Sequence, residues 1–485
     1  MWESNLNLLE THKLSLRDAL IPVIALIILL TFNITIYGED TLTGSNQVIL
    51  LIAGSIAGLV GIRNKIGFKL ILLKIIENIS SVKIPIMILL FVGALAGTWL
   101  VSGIIPAMIY YGIQIANPSF FLPACVLICT LISLATGSSW STSATVGIAL
   151  IGIGKALGLP ADMIAGAVIS GAYFGDKLSP LSDTTNLAPA MAGGELFTHI
   201  RYMLYTTLPS IVITLFVFVV FGLTFSTSGE IDTSNFKNAI AEKFNINPWL
   251  FLVPVLLVIM IIKKIPPLIA LFFGSLLGAF FAIIFQPALL VELGGGQTLN
   301  FKVAFQSILN AITIETNLST SEKLLNELFT SGGMQGMFGT IWLIICAMVF
   351  GGIMDAIGAL EAISNAFLNW AKSKFQLFAS TVASCLTVNL SASDQYLAIV
   401  VPGKMFNKAY KNKKLAPENL SRTLEDSGTV TSVLVPWNTC GAYQSSVLGV
   451  SVTDYFVYAI FNWLSPIMTL IIAYFKIKIR SLTKV

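Results

Sequence analysis

The stretch from Gly171 to Asn186 is the densest group of cation-binding oxygens in the first half of this chain. It reads Gly-Ala-Tyr-Phe-Gly-Asp-Lys-Leu-Ser-Pro-Leu-Ser-Asp-Thr-Thr-Asn. Asp176 and Asp183 supply carboxylates, and the hydroxyl and amide side chains around them supply neutral oxygen atoms. Oxygen ligands of these kinds bind hard cations. The stretch therefore indicates half of an ion-binding site.

The surrounding sequence is apolar enough for a lipid bilayer. Of the 485 residues 55% are hydrophobic and 11% charged, whereas a soluble domain carries about 25% charged residues. Repeated apolar runs near the length of a membrane helix predict an all-α polytopic membrane protein, with lipid and not nucleic acid around it. The predicted spans are 19–37, 46–62, 84–105, 200–225, 249–262, 266–286, 341–362 and 457–475.

The two halves of the chain match at a constant separation of 257 positions, which relates Pro160 to Pro417 and Gly171 to Gly428. A constant offset through helix-breaking residues predicts an internal repeat. At this offset Cys440 takes the place of Asp183, so the predicted site is asymmetric. The predicted divisions are a tail at 1–18, a first repeat at 19–225, an external connection at 226–248, a second repeat at 249–475 and a tail at 476–485.

Two apolar regions, 121–157 and 377–411, contain polar interruptions. We expect each of their arms to be about 15 residues long, which is shorter than the roughly 20 residues that cross a bilayer. Both are therefore predicted to be re-entrant hairpins, with tips near 136–141 and 389–396. Each repeat then has about five transmembrane helices, a hairpin and a broken helix. An odd number of spans makes the two repeats inverted.

Basic residues set the expected orientation, because short cytoplasmic loops are rich in lysine and arginine. The loop from Arg63 to Lys83 is basic, and so is the segment from Lys476 to Arg480. Both termini are therefore predicted to be cytoplasmic.

Four interruptions of the apolar runs carry polar side chains, at 136–143, at Ser179-Pro180, at 389–395 and at 436–441. Irregular backbone at membrane depth is tolerated only where it is buried in protein or lines a cavity. Its carbonyls, together with nearby hydroxyls and amides, suit Na⁺. The side chains at the first, third and fourth breaks that we predict to bind the ion are Ser138, Ser139, Asn389, Ser391, Asn438 and Thr439.

An isolated carboxylate at membrane depth is costly and tends to be neutralised by a proton or a cation. A single aspartate that accepts either H⁺ or Na⁺ therefore couples the two ions by competition. The candidates are Asp176 and Asp183 in the first half and Asp394 and Asp426 in the second. Three plain alternatives stay open: Asp176 pairs with Lys177, Asp183 caps a helix, and Asp394 is a simple turn residue.

Proton carriers are sought among Asp176, Asp426 and Asp355. Asp355 is predicted in the middle of the span 341–362, where it either carries a proton or makes an ordinary interhelical hydrogen bond. Glu425 and Arg422 are interpreted as a structural ion pair near the cytoplasmic end.

Signatures of soluble enzymes are missing from the sequence. His12 and His199 are its two histidines, which excludes a two-histidine zinc helix or a histidine-based triad within the membrane. Gly152-Ile-Gly-Lys155 lacks the spacing of a nucleotide-binding loop. The five cysteines have no metal-ligand spacing and are expected to be small buried side chains. We therefore expect no enzyme activity and no cofactor.

The residues at 171–186, together with Gly-Ser-Ser-Trp at 137–140 and Val-Pro-Trp-Asn-Thr at 435–439, resemble the NhaC family of Na⁺/H⁺ antiporters. The resemblance covers roughly residues 20–475. It implies a secondary antiporter of the prokaryotic inner membrane that works by alternating access. It also implies that the ion site, with Asp176 and Asp183 as Na⁺ ligands, is formed by Asp176, Ser179, Ser182, Asp183, Thr184 and Asn186.

The exchanged species remains open between two functions. The favoured one is exchange of Na⁺ for H⁺. The alternative is exchange of a small carboxylate, of the malate–lactate type, or of an amino acid, coupled to Na⁺ or H⁺. No arginine lies at a predicted break, which favours the ion-only function because arginine is a preferred partner of carboxylates. Whether the chain works as a homodimer also stays open.

Overall fold

The structure is a computed structural model that describes residues 14–37, 44–224, 233–263, 265–320 and 322–482. The predicted tails and connection therefore fall partly outside the described residues, at 1–13, 226–232 and 483–485. Within the described ranges nearly every element is a helix, which confirms the predicted fold class.

The first half contains eleven described helices and one π-helical turn, Ser143–Gly147. The helices are α1 (Leu16–Tyr37), α2 (Ser45–Arg63), α3 (Phe68–Ser81), α4 (Lys83–Val101), α5 (Ile104–Ile115), α6 (Pro118–Thr136), α7 (Ser139–Thr142), α8 (Ile148–Ala156), α9 (Ala161–Leu178), α10 (Asp183–Ala192) and α11 (Leu196–Thr224).

The second half adds a π-helical turn, Glu425–Thr429, and an antiparallel pair of two-residue strands, β1 (Thr316–Asn317) and β2 (Thr330–Ser331). Short 3-10 turns are at Pro248–Phe251, Gln335–Met337 and Ser432–Leu434. The helices are α12 (Thr233–Lys243), α13 (Leu252–Ile262), α14 (Pro267–Phe285), α15 (Pro287–Leu293), α16 (Phe301–Thr313), α17 (Lys323–Leu328), α18 (Phe338–Ala356), α19 (Ala359–Trp370), α20 (Lys374–Ala392), α21 (Gln395–Asn412), α22 (Pro417–Leu424), α23 (Thr439–Leu448), α24 (Val452–Tyr455) and α25 (Ile460–Tyr474).

Eight helices of the described chain are long and apolar enough to cross a membrane, namely α1, α2, α4, α6, α11, α14, α18 and α20. The chain is therefore a multi-pass membrane protein. Of the predicted spans, one is part of a bent pair and another is shorter than expected. The one at 249–262 belongs to a helix pair bent by 85°, and the one at 457–475 contains α25, which has 15 residues.

The arms of the two predicted hairpins are longer than expected. The first arms, α6 and α20, each have 19 residues, and α21 has 18. The expectation of about 15 residues was wrong because the helices extend through Ser and Thr side chains that hydrogen-bond within the helix, as Ser391 does to the carbonyl of Thr387 at 2.7 Å. Turns do lie at the predicted tips, where Gly137 and Ser393 adopt left-handed backbone conformations.

Helices α6 and α9 pack backbone to backbone. A Cβ added to Gly171 would overlap the carbonyl oxygen of Val126, and one added to Gly175 would overlap that of Thr130. Ser133 at the end of α6 donates a hydrogen bond to the carbonyl of Ala172 at 2.5 Å. Small residues allow this approach, as in other membrane helix pairs. The contact brings the tip after α6 beside the end of α9.

The order of elements recurs between the halves. The starts of α6, α9 and α10 lie 256 positions before those of α20, α22 and α23, and Pro180 lies 256 before Pro436. The separation read from the sequence was therefore one residue too large, and Thr439, not Cys440, takes the place of Asp183. Left-handed backbone positions recur 255 or 256 residues apart, at Gly103 and Gly358, Gly137 and Ser393, Gly158 and Lys414, and Gly193 and Gly449.

The polar segment after α14 lies against the helices instead of projecting from them. Its helix α16 is amphipathic and buries Val303, Ser307 and Ala311 on one face. A Cβ added to Gly97 on α4 would overlap the carbonyl oxygen of Ala311. Helix α16 is thus held directly on α4.

Candidate ion-binding site

Asp176 lies in the last turn of α9, against the tip that follows α6. One of its carboxylate oxygens, Oδ2, accepts hydrogen bonds from the backbone N–H of Ser139 at 3.0 Å and from the Ser139 hydroxyl at 2.8 Å. Ser139 is the first residue of α7, and Ser138 caps that helix through the backbone N–H of Ser141 at 3.1 Å. Free N–H groups at the start of a helical turn favour an anion there. The structure thus brings Ser138, Ser139 and Asp176 together.

The other oxygen of Asp176, Oδ1, is enclosed and has no hydrogen-bond partner among the described residues. The hydroxyl of Ser182 lies close to the carboxylate, but it also contacts the hydroxyl of Thr184 at 3.2 Å and caps α10. A buried carboxylate oxygen without a partner carries a desolvation cost, which a proton or a cation removes. Oδ1 is therefore the atom of this site that is available to an ion.

The break between α9 and α10 is held in shape by hydrogen bonds from its own side chains. Ser179 ends α9, and Ser182, not Asp183, caps α10 by accepting a hydrogen bond from the N–H of Thr185. Asp183 follows as the first helical residue and is exposed. Asn186, also exposed, donates to the carbonyls of Pro180 at 3.0 Å and Ser182 at 2.7 Å. Asn186 thus stabilises the break and is not directed at Asp176.

The matching break in the second half is held by amides. The amide of Asn389 donates to the carbonyl of Gly428 at 2.7 Å, and Asn438 donates to Asn389 at 3.2 Å. The N–H of Thr439 donates to the carbonyl of Ser393 at 3.0 Å. Asn389, Asn438 and Thr439, which were all predicted to bind the ion, therefore lie together, as Asp176 and Ser139 do in the first half. Ser391 instead hydrogen-bonds within its own helix.

Asp394 is buried and caps α21, accepting from the N–H of Leu397 at 2.9 Å. The alternative interpretation of Asp394 as a simple turn residue did not include this cap. Tyr396 lies within electrostatic range of Asp176, Asp183 and Asp394, which places the three carboxylates in one region. Among the described residues no group of three or more His, Cys, Asp or Glu side chains could hold a metal. A cation here would depend on hydroxyl and carbonyl oxygens as well.

The two halves touch through an aromatic pair at their tips. The rings of Trp140 and Tyr443 stack with centroids 4.0 Å apart and planes 19° apart, and the Tyr443 hydroxyl donates to the carbonyl of Trp140 at 3.1 Å. Trp140 belongs to α7, beside Ser139, and Tyr443 belongs to α23. The pair joins the turn after α6 to α23, the helix that follows the second break.

Lys177, the residue after Asp176, does not pair with Asp176. Its ammonium group forms a fully buried ion pair with Asp426 in the second half. Asp426 also accepts hydrogen bonds from the hydroxyls of Thr206, Ser465 and Thr469. The expected alternative for Asp176 is therefore wrong, because Lys177 reaches from α9 to the π-helical turn. Both oxygens of Asp426 have partners, unlike those of Asp176.

The interpretation of Glu425 and Arg422 as an ion pair is also wrong. Glu425 accepts a hydrogen bond from the hydroxyl of Thr184 at 2.9 Å, and Lys177 lies within electrostatic range of its carboxylate. The guanidinium group of Arg422 is fully buried and lies 4.6 Å from the centroid of the Tyr202 ring. The π-helical turn that begins at Glu425 alters the helical spacing expected from the sequence.

Asp355 lies in the last turn of α18, not in the middle of a span. It forms an ion pair with Lys74 of α3 at 3.1 Å, and its side chain is partly exposed. The helix ends at Ala356, and Gly358 takes a left-handed conformation just beyond it. Asp355 therefore lies apart from the group around Asp176. The five cysteines are all buried and free, as expected.

Comparisons with known proteins show which family this chain is similar to. The model of the Na⁺/H⁺ antiporter family matches residues 171–477. The Na⁺/H⁺ antiporter NhaC of Alkalihalophilus pseudofirmus is 39% identical over 81% of this chain and 82% of its own. The protein of the same name from Bacillus subtilis is 36% identical over 83% of this chain and 86% of its own.

A third relative is named for a different exchange reaction. The malate-2H⁺/Na⁺-lactate antiporter of Bacillus subtilis is 36% identical over 86% of both chains. These matches confirm the resemblance inferred from the motifs at 137–140, 171–186 and 435–439. By the extent of the family match and the identity to its relatives, the chain belongs to the Na⁺/H⁺ antiporter family.

Proposed function

We propose that this protein exchanges Na⁺ for H⁺ across a prokaryotic cell membrane, with Asp176 as the residue that binds either ion. The observation that supports this most directly is the unequal state of its two oxygens. Ser139 fixes Oδ2, whereas Oδ1 is enclosed without a partner among the described residues. Competition for one oxygen makes the binding of H⁺ and Na⁺ mutually exclusive, which couples the two fluxes.

Asp176 is the favoured proton carrier among the three candidates. Asp426 has Lys177 and three hydroxyls on its oxygens, and Asp355 is paired with Lys74 at a helix end. Loss of a proton from Asp176 creates an unpaired charge, which Na⁺ can compensate. Loss of a proton from Asp426 would be compensated by Lys177 already. The remaining Na⁺ ligands would come from Ser182 and the carbonyls of the break.

The transport cycle we propose moves two inverted repeats, 19–225 and 249–475, relative to each other around this site. The recurring helix order and the recurring left-handed positions support the repeat. Exposure of Asp183 and Asn186 on α10, in contrast to buried Asn438 and Thr439, supports a conformation open at the first break. We place that opening on the cytoplasmic side, the side on which we also place both termini. The end of α10 contacts the lysine-rich part of α21 through Asn407, and lysine-rich segments lie on the cytoplasmic side of a membrane.

The test is transport by the purified protein in liposomes that contain a pH-sensitive dye. A pulse of external Na⁺ should drive proton movement without any organic substrate. If the internal pH stays constant until malate, lactate or an amino acid is added, exchange of Na⁺ for H⁺ alone is excluded.

Asp176→Asn should reduce Na⁺-driven proton movement to that of protein-free liposomes, because an amide neither carries a proton nor compensates Na⁺. Asp162→Asn, the same substitution in the first turn of the same helix, should retain exchange. Normal exchange by Asp176→Asn would remove Asp176 from the proposed role and direct attention to Asp183 or Asp394.

A further inference from the structure

A row of side-chain oxygens joins the first break to the second half. The hydroxyl oxygens of Ser182 and Thr184 are 3.2 Å apart, and the Thr184 hydroxyl donates to the Oε1 atom of Glu425 at 2.9 Å. All three side chains are buried. Ser182 also lies close to the carboxylate of Asp176. Asp176, Ser182, Thr184 and Glu425 thus form one oxygen row that crosses from the first half to the second.

The direction of the hydrogen bonds in the oxygen row is fixed at Glu425. An ionised carboxylate only accepts hydrogen bonds, and the ammonium group of Lys177 lies within electrostatic range and favours the ionised form of Glu425. The Oε2 atom is enclosed without a partner among the described residues, and the hydroxyl of Thr429 lies close to the carboxylate. A proton on Oε2 would leave Oε1 an acceptor. Thr184 is therefore the donor to Glu425 in either state.

The direction of the next contact follows from the first. A hydroxyl group has one proton to donate and two lone pairs that accept. Because Thr184 gives its proton to Glu425, Ser182 must donate to Thr184. One lone pair of Ser182 accepts the backbone N–H of Thr185 at 3.5 Å, which caps α10. The other lone pair remains on an oxygen that lies close to Asp176. Ser182 thus offers the ion site a lone pair and not a proton.

This direction agrees with the unpartnered oxygen of Asp176. Oδ1 has no hydrogen-bond partner among the described residues, although the Ser182 hydroxyl lies close to the carboxylate. If the oxygen row ran the other way, Ser182 would donate to Asp176 and compete with a cation for that carboxylate. Hard cations take oxygen lone pairs as ligands. Directed toward Glu425, the oxygen row leaves both Ser182 and Asp176 free to bind one cation.

A second contact keeps the oxygen row in register. The hydroxyl of Thr185 donates to the carbonyl of Lys177 at 3.0 Å, which attaches the start of α10 to the end of α9. The ammonium group of Lys177 pairs with Asp426, the residue after Glu425. The same two segments are therefore joined twice, and this double contact holds Thr184 opposite Glu425.

We propose that Glu425 is a positioning residue of the ion site, which orients the Ser182 hydroxyl through Thr184 so that Ser182 and Asp176 bind Na⁺ together. The inference rests on the proposed function, in which Asp176 binds either Na⁺ or H⁺. Glu425 belongs to the π-helical turn of the second half, whereas Ser182 and Thr184 belong to the first half. Relative movement that separates Thr184 from Glu425 frees the Thr184 proton, and the oxygen row then reverses. Ser182 donates to Asp176 after the reversal, which weakens the binding of Na⁺.

The test measures Na⁺-driven proton movement by the purified full-length protein in liposomes over a range of Na⁺ concentrations. Glu425→Leu removes the acceptor and should raise the KM for Na⁺ about tenfold, roughly the worth of one hydrogen bond, while the maximal rate stays close to that of the unchanged protein. Glu425→Gln keeps an acceptor oxygen and should have a much smaller effect; it also serves if Glu425→Leu fails to fold. Glu418→Leu, the same substitution at a buried position of α22, should leave the KM unchanged.

A double-variant cycle separates positioning from a simple effect of charge. Glu425→Leu should add little to Ser182→Ala, because no hydroxyl remains to be oriented. Thr184→Val, which interrupts the oxygen row, is the second background and should give the same result.

Three results would overturn the proposal: an unchanged KM in Glu425→Leu, an increase of undiminished size in both backgrounds, or a complete loss of exchange in Glu425→Gln. The last would show that Glu425 must hold a charge or a proton, which an amide cannot do. In each of these cases the unchanged protein still exchanges Na⁺ for H⁺. Absence of exchange in the unchanged protein would instead exclude the proposed function.

Discussion

Asp176 and Lys177 are neighbours in the chain, but their side chains join separate networks. Asp176 binds the N-terminus of α7 in its own half, and Lys177 binds Asp426 in the other half. Consecutive helical residues point about 100° apart, so the end of α9 presents one charge to each half. A shift of α9 therefore acts on the proposed ion site and on the contact between the halves together.

Removing one partner of the Lys177–Asp426 pair should destabilise the protein strongly. Both side chains are fully buried, so Lys177→Met leaves an uncompensated carboxylate, and we expect a loss of about 3–5 kcal/mol. The double variant Lys177→Met, Asp426→Leu should recover most of that loss. Unfolding by dodecyl sulfate in mixed micelles measures the stability of the single and the double variant. A double variant as unstable as the sum of the single ones would show that the hydroxyls around Asp426 depend on its charge.

The contact between α16 and α4 should tolerate no side chain at Gly97. Gly97→Ala places a methyl group against the backbone of Ala311, and overpacking of this kind costs about 1–3 kcal/mol. Gly58→Ala on α2 is the matched control, since nothing lies within 4 Å of its added Cβ. The control should be neutral or more stable by up to about 1 kcal/mol, because alanine is the better helix former. Equal melting temperatures for the two variants would contradict the close approach.

Asp355→Asn should leave Na⁺-driven proton movement close to that of the unchanged protein. Asp355 pairs with Lys74 at a helix end, and a partly exposed pair is worth about 1 kcal/mol or less. Burial alone would lower the pKa of Lys74, but the carboxylates of Asp355 and Glu77 outweigh it and raise that pKa.

Because the pKa of Lys74 is raised on folding, the pair stabilises the protein throughout the neutral range. Its contribution is lost only as the pH rises through the elevated pKa. Asp355→Asn should therefore lower the melting temperature slightly at pH 7 and have a smaller effect at strongly alkaline pH. A complete loss of exchange in this variant would return Asp355 to the candidate proton carriers.

Cys440 should report on ion binding. It is buried at the start of α23 beside Thr439, with its thiol 3.2 Å from the Oε1 atom of Gln395. A variant that keeps Cys440 as its single cysteine should react slowly with a maleimide, and Na⁺ should change that rate several-fold, because the second break moves in the proposed cycle. The matched variant that keeps Cys125, which is buried on α6, should be insensitive to Na⁺. Equal responses at both positions would argue against movement of this break.

The breaks could be predicted from the sequence, because proline and glycine at 137, 180 and 436 act through local backbone sterics. Asp176 and Ser139 could be chosen as site residues for a similar reason, since polar groups in an apolar run must either hydrogen-bond to the protein or bind a ligand. The partner of Lys177 could not be predicted. Asp426 lies 249 positions away, and no local pattern specifies which of several buried carboxylates an ammonium group will reach.

Arg422 shows a different limit of sequence reasoning. Its spacing from Glu425 is that of a helical ion pair, and such pairs depend on regular turns. The π-helical turn at Glu425–Thr429 breaks that regularity. The cap of α10 is a similar case, because Asp183 and Ser182 are both residue types that cap helices well. In each case the residue types indicated which contacts were possible, and the backbone geometry decided which contact formed.

The turn after α20 differs from its counterpart after α6 in one respect. Both turns place a residue in the left-handed region, but the first uses Gly137 and the second uses Ser393, at a φ of 59°. A residue with a Cβ bears a conformational penalty of about 1 kcal/mol there, whereas glycine bears almost none. Two halves of similar architecture therefore differ in the backbone strain stored at this turn, which lies beside the second break in one half and is almost absent from the other.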